Sequence, residues 1–536
     1  MSTKPNIIVI LNDDMGYSDI GCYGGEIDTP NLNSLAENGI RFAQFYNTAR
    51  CSPTRASLLT GLHPHQTGIG ILVNDDGPEG YAGNLNGKCV TIAEVLRENN
   101  YRTYMSGKWH VATNTKTVND TWPIQRGFDR FYGILGGAAS YFHPGTLTRN
   151  NENIEHEAER DDQYYITDAI SGHAAQFIKE HVKEHPDQPF FQYVAYTAPH
   201  WPLHAREEDI AKYAGRFEKG WDRLREERLE RMIEKGLIDS SWKLTDRDSG
   251  QPKWDDVEDK AWQLRRMEVY AAQIDRMDQG IGTILQTLKE TGQWENTIIF
   301  FLADNGGCAE ELAPGAGEAR IRRGIGRGER TKNNELVAFG NRNDILPGAE
   351  NTYQSYGVAW ANLSNTPFRL YKHWVHEGGI ATPLIVHWPE SITDPGAIRH
   401  TPGQLTDIMA TILEISGASY PATYKGRPIL PLEGKSLINI IEGNTWPSRP
   451  LFWEHEGNAA VRLGQWKLVK KYPGAWELYD METDRTETND LAGVHPGKVA
   501  ELSKEYDKWA DRCGVIPRDK ILALKKGRPS DRKVNS

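Results

Sequence analysis

Short apolar runs alternate with amphipathic helical patterns along most of this chain, and this alternation constrains the fold more than any other feature. It is typical of a mostly parallel sheet that helices cover on both faces. The sequence therefore predicts an α/β fold with a large, mostly parallel mixed sheet. Its strands are expected at residues 6–11, 101–105, 190–196, 297–303 and 384–388.

Local signals predict three of the covering helices. One begins at Pro30 behind Thr29, a residue type that caps helix N-termini. A second follows Thr91, where Glu94 completes the pattern of a capping box. Residues 267–288 carry large apolar side chains at helical spacing, which predicts a long helix over the core.

Two stretches depart from this pattern. Residues 205–260 are dense in charge and predict solvated helices laid over the core. Residues 306–357 are rich in glycine, asparagine and charge, and they follow a strand that ends in polar residues. Functional residues concentrate on such connections, so we expect loops that border a pocket there.

Beyond about residue 425 the pattern changes to short strands of antiparallel type, expected at residues 449–454, 459–470 and 476–480. A closing helix is expected to bury Val499, Leu502, Tyr506 and Trp509. We predict two domains: a catalytic domain over residues 1–425, and a small α+β domain over 426–536 with an antiparallel sheet and a packing helix.

Composition excludes several classes of function. The 62 basic and 73 acidic residues give a net charge of −11 without a long basic run, so nucleic acid is not expected as a partner. No apolar stretch approaches the roughly 20 residues needed to cross a bilayer, and the N-terminus does not resemble a secretory signal. The five cysteines are scattered without C-x-x-C spacing, which indicates neither a disulfide framework nor a zinc site and favours a cytoplasmic location.

Acidic pairs follow two of the predicted strands. Asp13 and Asp14 end the first strand, and Asp304 and Asn305 follow residues 297–303. Each pair alone is equally consistent with a polar turn, but open α/β sheets bind ligands at the carboxyl ends of their strands. Carboxylate and amide oxygens suit calcium, or magnesium as the alternative, better than zinc.

Basic and proton-transferring side chains occupy similar places. Lys108 and His110 come after the strand at 101–105, and His200 follows the strand at 190–196. Lys372 lies in the segment Phe-Arg-Leu-Tyr-Lys. His63 and His65 are expected to be structural, because the chain has 16 histidines and most are structural.

The pentapeptide Cys-Ser-Pro-Thr-Arg at residues 51–55 precedes a helical pattern that ends at Gly61. Ser52 and Pro53 resemble a helix start, which places Cys51 at a helix N-terminus that favours an anion. The alternative is that Cys51 is an ordinary buried thiol.

Six segments resemble, in order, the formylglycine-dependent (type I) arylsulfatases of the alkaline phosphatase-like superfamily: LNDDMGYSD, TARCSPTRASLLTG, SGKWH, TAPHWP, FLADNG and RLYKHWVHEGG. The resemblance implies that a formylglycine-generating maturation enzyme oxidises Cys51 to an aldehyde. One hydroxyl of the hydrated aldehyde would attack sulfur, and the other would allow sulfate to be eliminated.

The same resemblance implies a role for each matching residue. Calcium would be bound by Asp13, Asp14, Asp304 and Asn305 together with residue 51.

Among the remaining residues, Arg55 would steady the diol and Lys108 would contact both the diol and the sulfate. His110 would take the proton whose removal expels sulfate. His200 and Lys372 would bind sulfate and assist the leaving oxygen, with His200 as the general acid.

The expected function is therefore hydrolysis of sulfate monoesters, with a phosphonate monoester or phosphodiester hydrolase as the alternative. Relatives with the alternative activity typically carry Asp-His where this chain has Asp304-Asn305, and Asp-Gln where it has Asp13-Asp14. Both differences favour the arylsulfatase. A non-catalytic binding protein would need neither the nucleophile nor the cationic set.

Overall fold

Five parallel strands form the centre of the molecule, in the spatial order β8 Thr297–Ala303, β1 Asn6–Asp13, β7 Phe190–Pro199, β3 Arg102–Gly107 and β4 Arg130–Ile134. The computed structural model describes residues 4–314 and 330–526. Within those ranges the central sheet has 11 strands, and β11 Ala381–His387 pairs antiparallel with both β8 and β2 Ile40–Tyr46. The sheet is thus mixed but mostly parallel, as predicted.

The strands of this sheet are β1 Asn6–Asp13, β2 Ile40–Tyr46, β3 Arg102–Gly107, β4 Arg130–Ile134, β5 Leu147–Arg149, β6 Glu152–Asn153, β7 Phe190–Pro199, β8 Thr297–Ala303, β11 Ala381–His387, β12 Ile398–Arg399 and β13 Gly403–Gln404. Two short ladders are formed by β9 Ala338–Phe339 with β10 Thr352–Tyr353, and by β14 Thr423–Tyr424 with β15 Arg427–Pro428. The C-terminal sheet contains β16 Leu451–His455, β17 Asn458–Leu463, β18 Trp466–Lys470 and β19 Glu477–Asp480.

The described α-helices are Pro30–Glu37, Cys51–Thr60, Pro64–Thr67, Ile92–Glu98, Glu155–Arg160, Ile166–Glu184, Glu207–Ala211, Gly220–Glu234, Lys260–Glu290, Gly357–Ser364, Glu377–Ile380, Thr406–Ser416, Ile438–Ile441, Pro496–Cys513 and Arg518–Lys526. Short 3₁₀ turns occur at Gly21–Tyr23, Glu79–Tyr81 and Trp254–Asp256.

Every residue of β1, β7 and β8 is buried, because helices cover both faces of the sheet. Alternate side chains of β1 enter two separate hydrophobic cores: Ile8 and Ile10 pack in one, and Ile7, Val9 and Leu11 pack in the other. This two-sided burial explains why residues 7–11 of the strand are all apolar, rather than only every second one.

Most local helix signals are confirmed. The Thr91 hydroxyl accepts a 3.0 Å hydrogen bond from the Glu94 backbone N–H, and the Glu94 carboxylate accepts one of 2.8 Å from the Thr91 N–H. The helix predicted over residues 267–288 is longer and spans Lys260–Glu290. Thr29 precedes the Pro30–Glu37 helix, but its side chain does not cap it.

Two predictions of local structure are wrong. The run 459–470 is two strands, β17 and β18, because a turn with Gly464 at a φ of 61° folds it into a hairpin. The charged stretch 205–260 is not merely solvated: Arg228 on the Gly220–Glu234 helix is fully buried and pairs with Asp19 at 2.8 Å and Glu26 at 2.6 Å. Paired charges can be buried where single charges cannot.

The C-terminal sheet is antiparallel, and the Pro496–Cys513 helix packs against it through Leu502, Tyr506 and Trp509. Val499 is only partly buried, whereas the sequence predicted that the helix would bury it. The domain limits at 425 and 426 stay a prediction.

None of the described helices combines the length and the apolar character needed to cross a bilayer. All five cysteines are buried free thiols.

Candidate active site

The carboxyl ends of four neighbouring parallel strands bring the predicted residues together. Asp13 ends β1, and Asp304 directly follows β8, whose register aligns Asn12 with Ala303. Lys108 follows β3 and His200 follows β7. Because these strands are parallel, their polar ends meet at one edge of the sheet.

Side chains at this edge form an acidic cluster. The Asp14 N–H donates to Asp304 Oδ1 at 3.1 Å, and Asn305 Nδ2 donates to Asp14 Oδ1 at 2.8 Å. Asp14 has a φ of 71°, a left-handed conformation that aspartate tolerates better than most residues. All four side chains, including Asp13, are at most 1% exposed.

Among the residues that the structure describes, three oxygen atoms of this cluster are buried without a hydrogen-bond partner: Asp13 Oδ1, Asp304 Oδ2 and Asn305 Oδ1. Buried polar atoms are normally paired, so these three acceptors fit a site that holds a cation. Oxygen donors of this kind fit calcium or magnesium. The Cys51 sulfur lies with carboxylate oxygens of Asp13 and Asp304 within a 4.8 Å span, which places residue 51 at the same site.

Three cationic side chains surround the acids. Lys108 forms a buried ion pair with Asp13, and the Lys372 ammonium lies 2.8 Å from Asp14. Arg55 Nη2 lies 3.5 Å from the Asp304 carboxylate, and its Nη1 donates to the Lys108 carbonyl at 2.7 Å. This concentration of positive charge could receive an anion.

The buried charged groups shift one another's pKa values. Burial raises the pKa of Asp304 well above its ordinary value, and the nearby Asp13 carboxylate adds to the effect. Burial also disfavours charge on Asp13, but Lys108 and other cations outweigh it and lower the pKa of Asp13. Burial opposes the charge on Lys372, yet Asp14 raises the pKa of Lys372 well above its ordinary value.

Cys51 is the first residue of the Cys51–Thr60 helix, and it is 3% exposed. The helix ends at Gly61, whose φ of 66° suits a glycine C-cap. His110 Nδ1 lies 3.5 Å from the Cys51 sulfur and 3.1 Å from the Ser52 hydroxyl. Free N–H groups at this helix start favour a negatively charged ligand beside residue 51.

His200 lies on another part of the cluster. Its Nδ1 is 2.6 Å from the Trp201 carbonyl, so that nitrogen carries the hydrogen, while Nε2 lies 3.4 Å from both Asp14 and Lys372. Burial lowers the pKa of His200 to about 4, with Asp14 opposing and Lys372 adding to the shift. Burial and the Lys108 charge also lower the pKa of His110.

All ten predicted site residues therefore meet at this edge. His63 and His65 do not: His65 Nε2 lies 2.7 Å from Glu454, and the His63 ring packs edge-on against Trp509. Both contact the C-terminal part of the chain.

Sequence reasoning missed several neighbours of the site. Arg50, which precedes the helix of Cys51, pairs with Glu310 at 2.9 Å, and Trp201 donates to the same carboxylate at 3.0 Å. Glu310 falls in the stretch 306–357 that was expected to border a pocket, but no pattern distinguished it. Residues 315–329 of that stretch lie outside the described residues. Ser52 could have been found, since it lies inside the pentapeptide.

Comparison with known families decides the identity. A sequence model described as "Sulfatase" matches residues 5–418. The chain belongs to the sulfatase family. Residues 368–509 of this sulfatase also match a model described as "N-sulphoglucosamine sulphohydrolase, C-terminal".

Curated relatives agree. An uncharacterized sulfatase of Schizosaccharomyces pombe is 33% identical over 96% of this chain and 95% of its own. An arylsulfatase of Klebsiella aerogenes is 35% identical over 82% of this chain and 92% of its own. An N-acetylgalactosamine-6-sulfatase of Homo sapiens is 24% identical over 93% of this chain and 78% of its own.

Solved structures share the fold. Ps i-CgsB in complex with k-i-k-neocarrahexaose has a TM-score of 0.68 at 24% identity, covering 100% of both chains. The phosphonate monoester hydrolase of Agrobacterium radiobacter has a TM-score of 0.59 at 17% identity, covering 95% of this chain and 96% of its own. The alkaline phosphatase-like architecture expected from the sequence agrees with both.

Proposed function

We propose that this sulfatase is an arylsulfatase that hydrolyses sulfate monoesters to a phenol or alcohol and inorganic sulfate. The observation that supports it most is the position of Cys51, at a helix N-terminus and beside both the acidic cluster and the cations. A maturation enzyme would convert Cys51 to formylglycine. Once hydrated, that residue supplies a hydroxyl nucleophile and a second hydroxyl through which sulfate can leave.

A calcium ion, or magnesium as the alternative, would be held by Asp13, Asp14, Asp304 and Asn305. Three oxygens of this cluster, which have no hydrogen-bond partner within residues 4–314 and 330–526, support this assignment. The ion would neutralise charge on the sulfate and the nucleophile. Asp304 also has its pKa raised by burial, which suits a group that accepts a proton from the attacking hydroxyl.

The basic residues divide the remaining work. Arg55 orients the nucleophile side of the site through its bonds to the Lys108 carbonyl and its contact with Asp304. Lys108 and Lys372 would attract the sulfate oxygens, because both are cationic side chains that contact the acids of the cluster. This pairing with acids offsets part of the cost of burying the two lysine side chains.

The two histidines act at different atoms. His110 is close enough to residue 51 to take a proton from its second hydroxyl. His200 Nε2 lies 3.4 Å from the Lys372 ammonium, which would supply the proton that Nε2 passes to the leaving oxygen. A cytoplasmic location is the compartment that the cysteine usage favours.

Sulfate release from an aryl sulfate tests the proposal. Protein produced together with a formylglycine-generating enzyme should release sulfate, and the Cys51→Ala variant made in the same way should not. An aryl phosphonate monoester, assayed in parallel, tests the alternative. Faster turnover of the phosphonate than of every sulfate ester would contradict the arylsulfatase assignment.

A further inference from the structure

A second group of metal-ligating side chains lies outside the acidic cluster. It consists of His373, His455 and Glu456, which we call the His-His-Glu cluster. His373 directly follows Lys372 in the chain, whereas His455 and Glu456 belong to the hairpin of β16 and β17. The hairpin turn at Glu456 and Gly457 has φ values of 52° and 88°, the positive pair of a tight type I′ turn.

The three side chains are close enough to share an ion. His373 Nδ1 lies 3.2 Å from Glu456 Oε2, and the two imidazole centroids are 5.4 Å apart. One ligand atom from each residue falls within a 4.8 Å span. The His373 and Glu456 side chains are 32% and 22% exposed, so an ion could enter from solvent.

The His455 imidazole provides an independent observation. It is 2% exposed, and its Nδ1 has no hydrogen-bond partner within residues 4–314 and 330–526. An ion pair between His373 and Glu456 would explain those two side chains alone and would leave His455 unsatisfied. A buried polar atom without a partner indicates a ligand that completes the site.

We propose that the His-His-Glu cluster binds a zinc ion. Two imidazoles and one carboxylate form a typical protein zinc site, with water in the fourth position. This ligand set is softer than the oxygen donors around Asp14 and therefore selects a different metal.

Neighbouring groups already hold the cluster in place. Arg518 donates to Glu456 Oε1 at 2.8 Å, which leaves Oε2 for the metal. Asn458 Nδ2 lies 3.4 Å from His373 Nε2, so the second nitrogen of that imidazole also has a polar neighbour. Outer contacts of this kind orient metal ligands.

The ion would connect two parts of the chain that meet beside the active site. The His373 N–H donates to the Ala49 carbonyl at 2.7 Å, two residues before Cys51. Lys372 is the preceding residue of the same segment. A zinc ion at this place would therefore fasten the hairpin of the C-terminal sheet to the segment that carries Lys372.

Zinc affinity, measured by competition with a chromophoric chelator in saturating calcium, tests this proposal. We expect one zinc ion per wild-type chain. The variants Glu456→Gln and His455→Gln should each lose that ion or bind it at least roughly 10- to 100-fold more weakly, the loss that even outer-shell changes produce. His156→Gln, at an exposed histidine elsewhere, should bind zinc as the wild type does.

A second measurement guards against variants that fail to fold. Cobalt added to the wild-type protein should give the visible absorption of a four-coordinate site, and zinc should displace it. Wild-type protein that binds neither metal, or whose zinc stoichiometry is the same in both cluster variants, would overturn the proposal. Neither readout depends on formylglycine or on sulfatase activity, so the proposed function can fail independently.

Discussion

His110 and His200 contact different groups in the candidate site. His110 lies against Cys51 and Ser52, whereas His200 lies against Asp14 and Lys372. Because their neighbours differ, we infer that the two histidines act in different steps. His110 would assist release of the enzyme-bound sulfate, and His200 would assist departure of the leaving group.

Alanine substitutions should reveal this division. His200→Ala should slow esters of poorly acidic alcohols far more than esters of acidic phenols, because an acidic phenol departs without a proton. His110→Ala should slow the second step for every substrate, giving a burst of alcohol and a covalently sulfated protein by intact mass. A sulfated protein from His200→Ala and none from His110→Ala would exchange the two assignments.

Individual site residues were predictable where they adjoin a strand end or a recognisable pentapeptide. Asp13 ends a strand that is apolar over residues 7–11, Asp304 follows one that is apolar over residues 298–303, and the carboxyl ends of neighbouring parallel strands meet at one edge. Glu310 was not predictable in this way, because its place beside Arg50 depends on the path of a loop that carries no periodic pattern. The His-His-Glu cluster was likewise not predictable, since His373 is distant in sequence from the adjacent His455 and Glu456 and meets them only when the hairpin packs.

At the level of secondary-structure elements, a buried ion network joins the Glu377–Ile380 helix to the C-terminal sheet. Glu377 pairs with Lys467 of β18 at 2.8 Å and with Arg485 at 2.9 Å, and all three side chains are fully buried. Burial opposes the charge on Glu377, but Lys467 and Arg485 lower its pKa to about 2.

Glu377→Gln should destabilise the protein by ~3 kcal/mol, because it leaves two buried cations without this partner. Glu377 has a folded pKa below its unfolded value, so its stabilising effect is complete above about pH 4.5 and declines as the pH falls toward 2. Urea unfolding of wild type and variant should therefore differ most near neutral pH. Glu505→Gln, at an exposed pair, is the control and should change stability by less than about 0.5 kcal/mol. A difference that grows on acidification would contradict this assignment.

Elements with strong periodicity were predicted well, and the errors have physical causes. Strand β8 matches its predicted limits because residues 298–303 are all apolar and the polar Asp304 follows them. The sequence predicted one strand at residues 459–470 because apolar side chains occur on both sides of the turn and only Gly464 marks it. The error over residues 205–260 arose because charge was equated with exposure, whereas Arg228 is buried with two acids.

For the whole molecule, the cluster of Asp13, Asp14, Asp304 and Asn305 predicts dependence on a metal. Exhaustive chelation should abolish turnover of an aryl sulfate and lower the melting temperature, since an ion that binds only the folded state stabilises it. Calcium should restore more activity than zinc, whereas zinc alone should raise the melting temperature through the His-His-Glu cluster. Full activity in a chelated, metal-free preparation would defeat the assignment.

The mass of the peptide that contains Cys51 tests the proposed arylsulfatase most directly. Conversion of cysteine to formylglycine exchanges sulfur and two hydrogens for one oxygen, so the peptide from an active preparation should be about 18 Da lighter than encoded. The Cys51→Ser protein should fold normally and transfer sulfate only once. An active preparation whose Cys51 peptide retains the thiol mass would contradict the proposed mechanism.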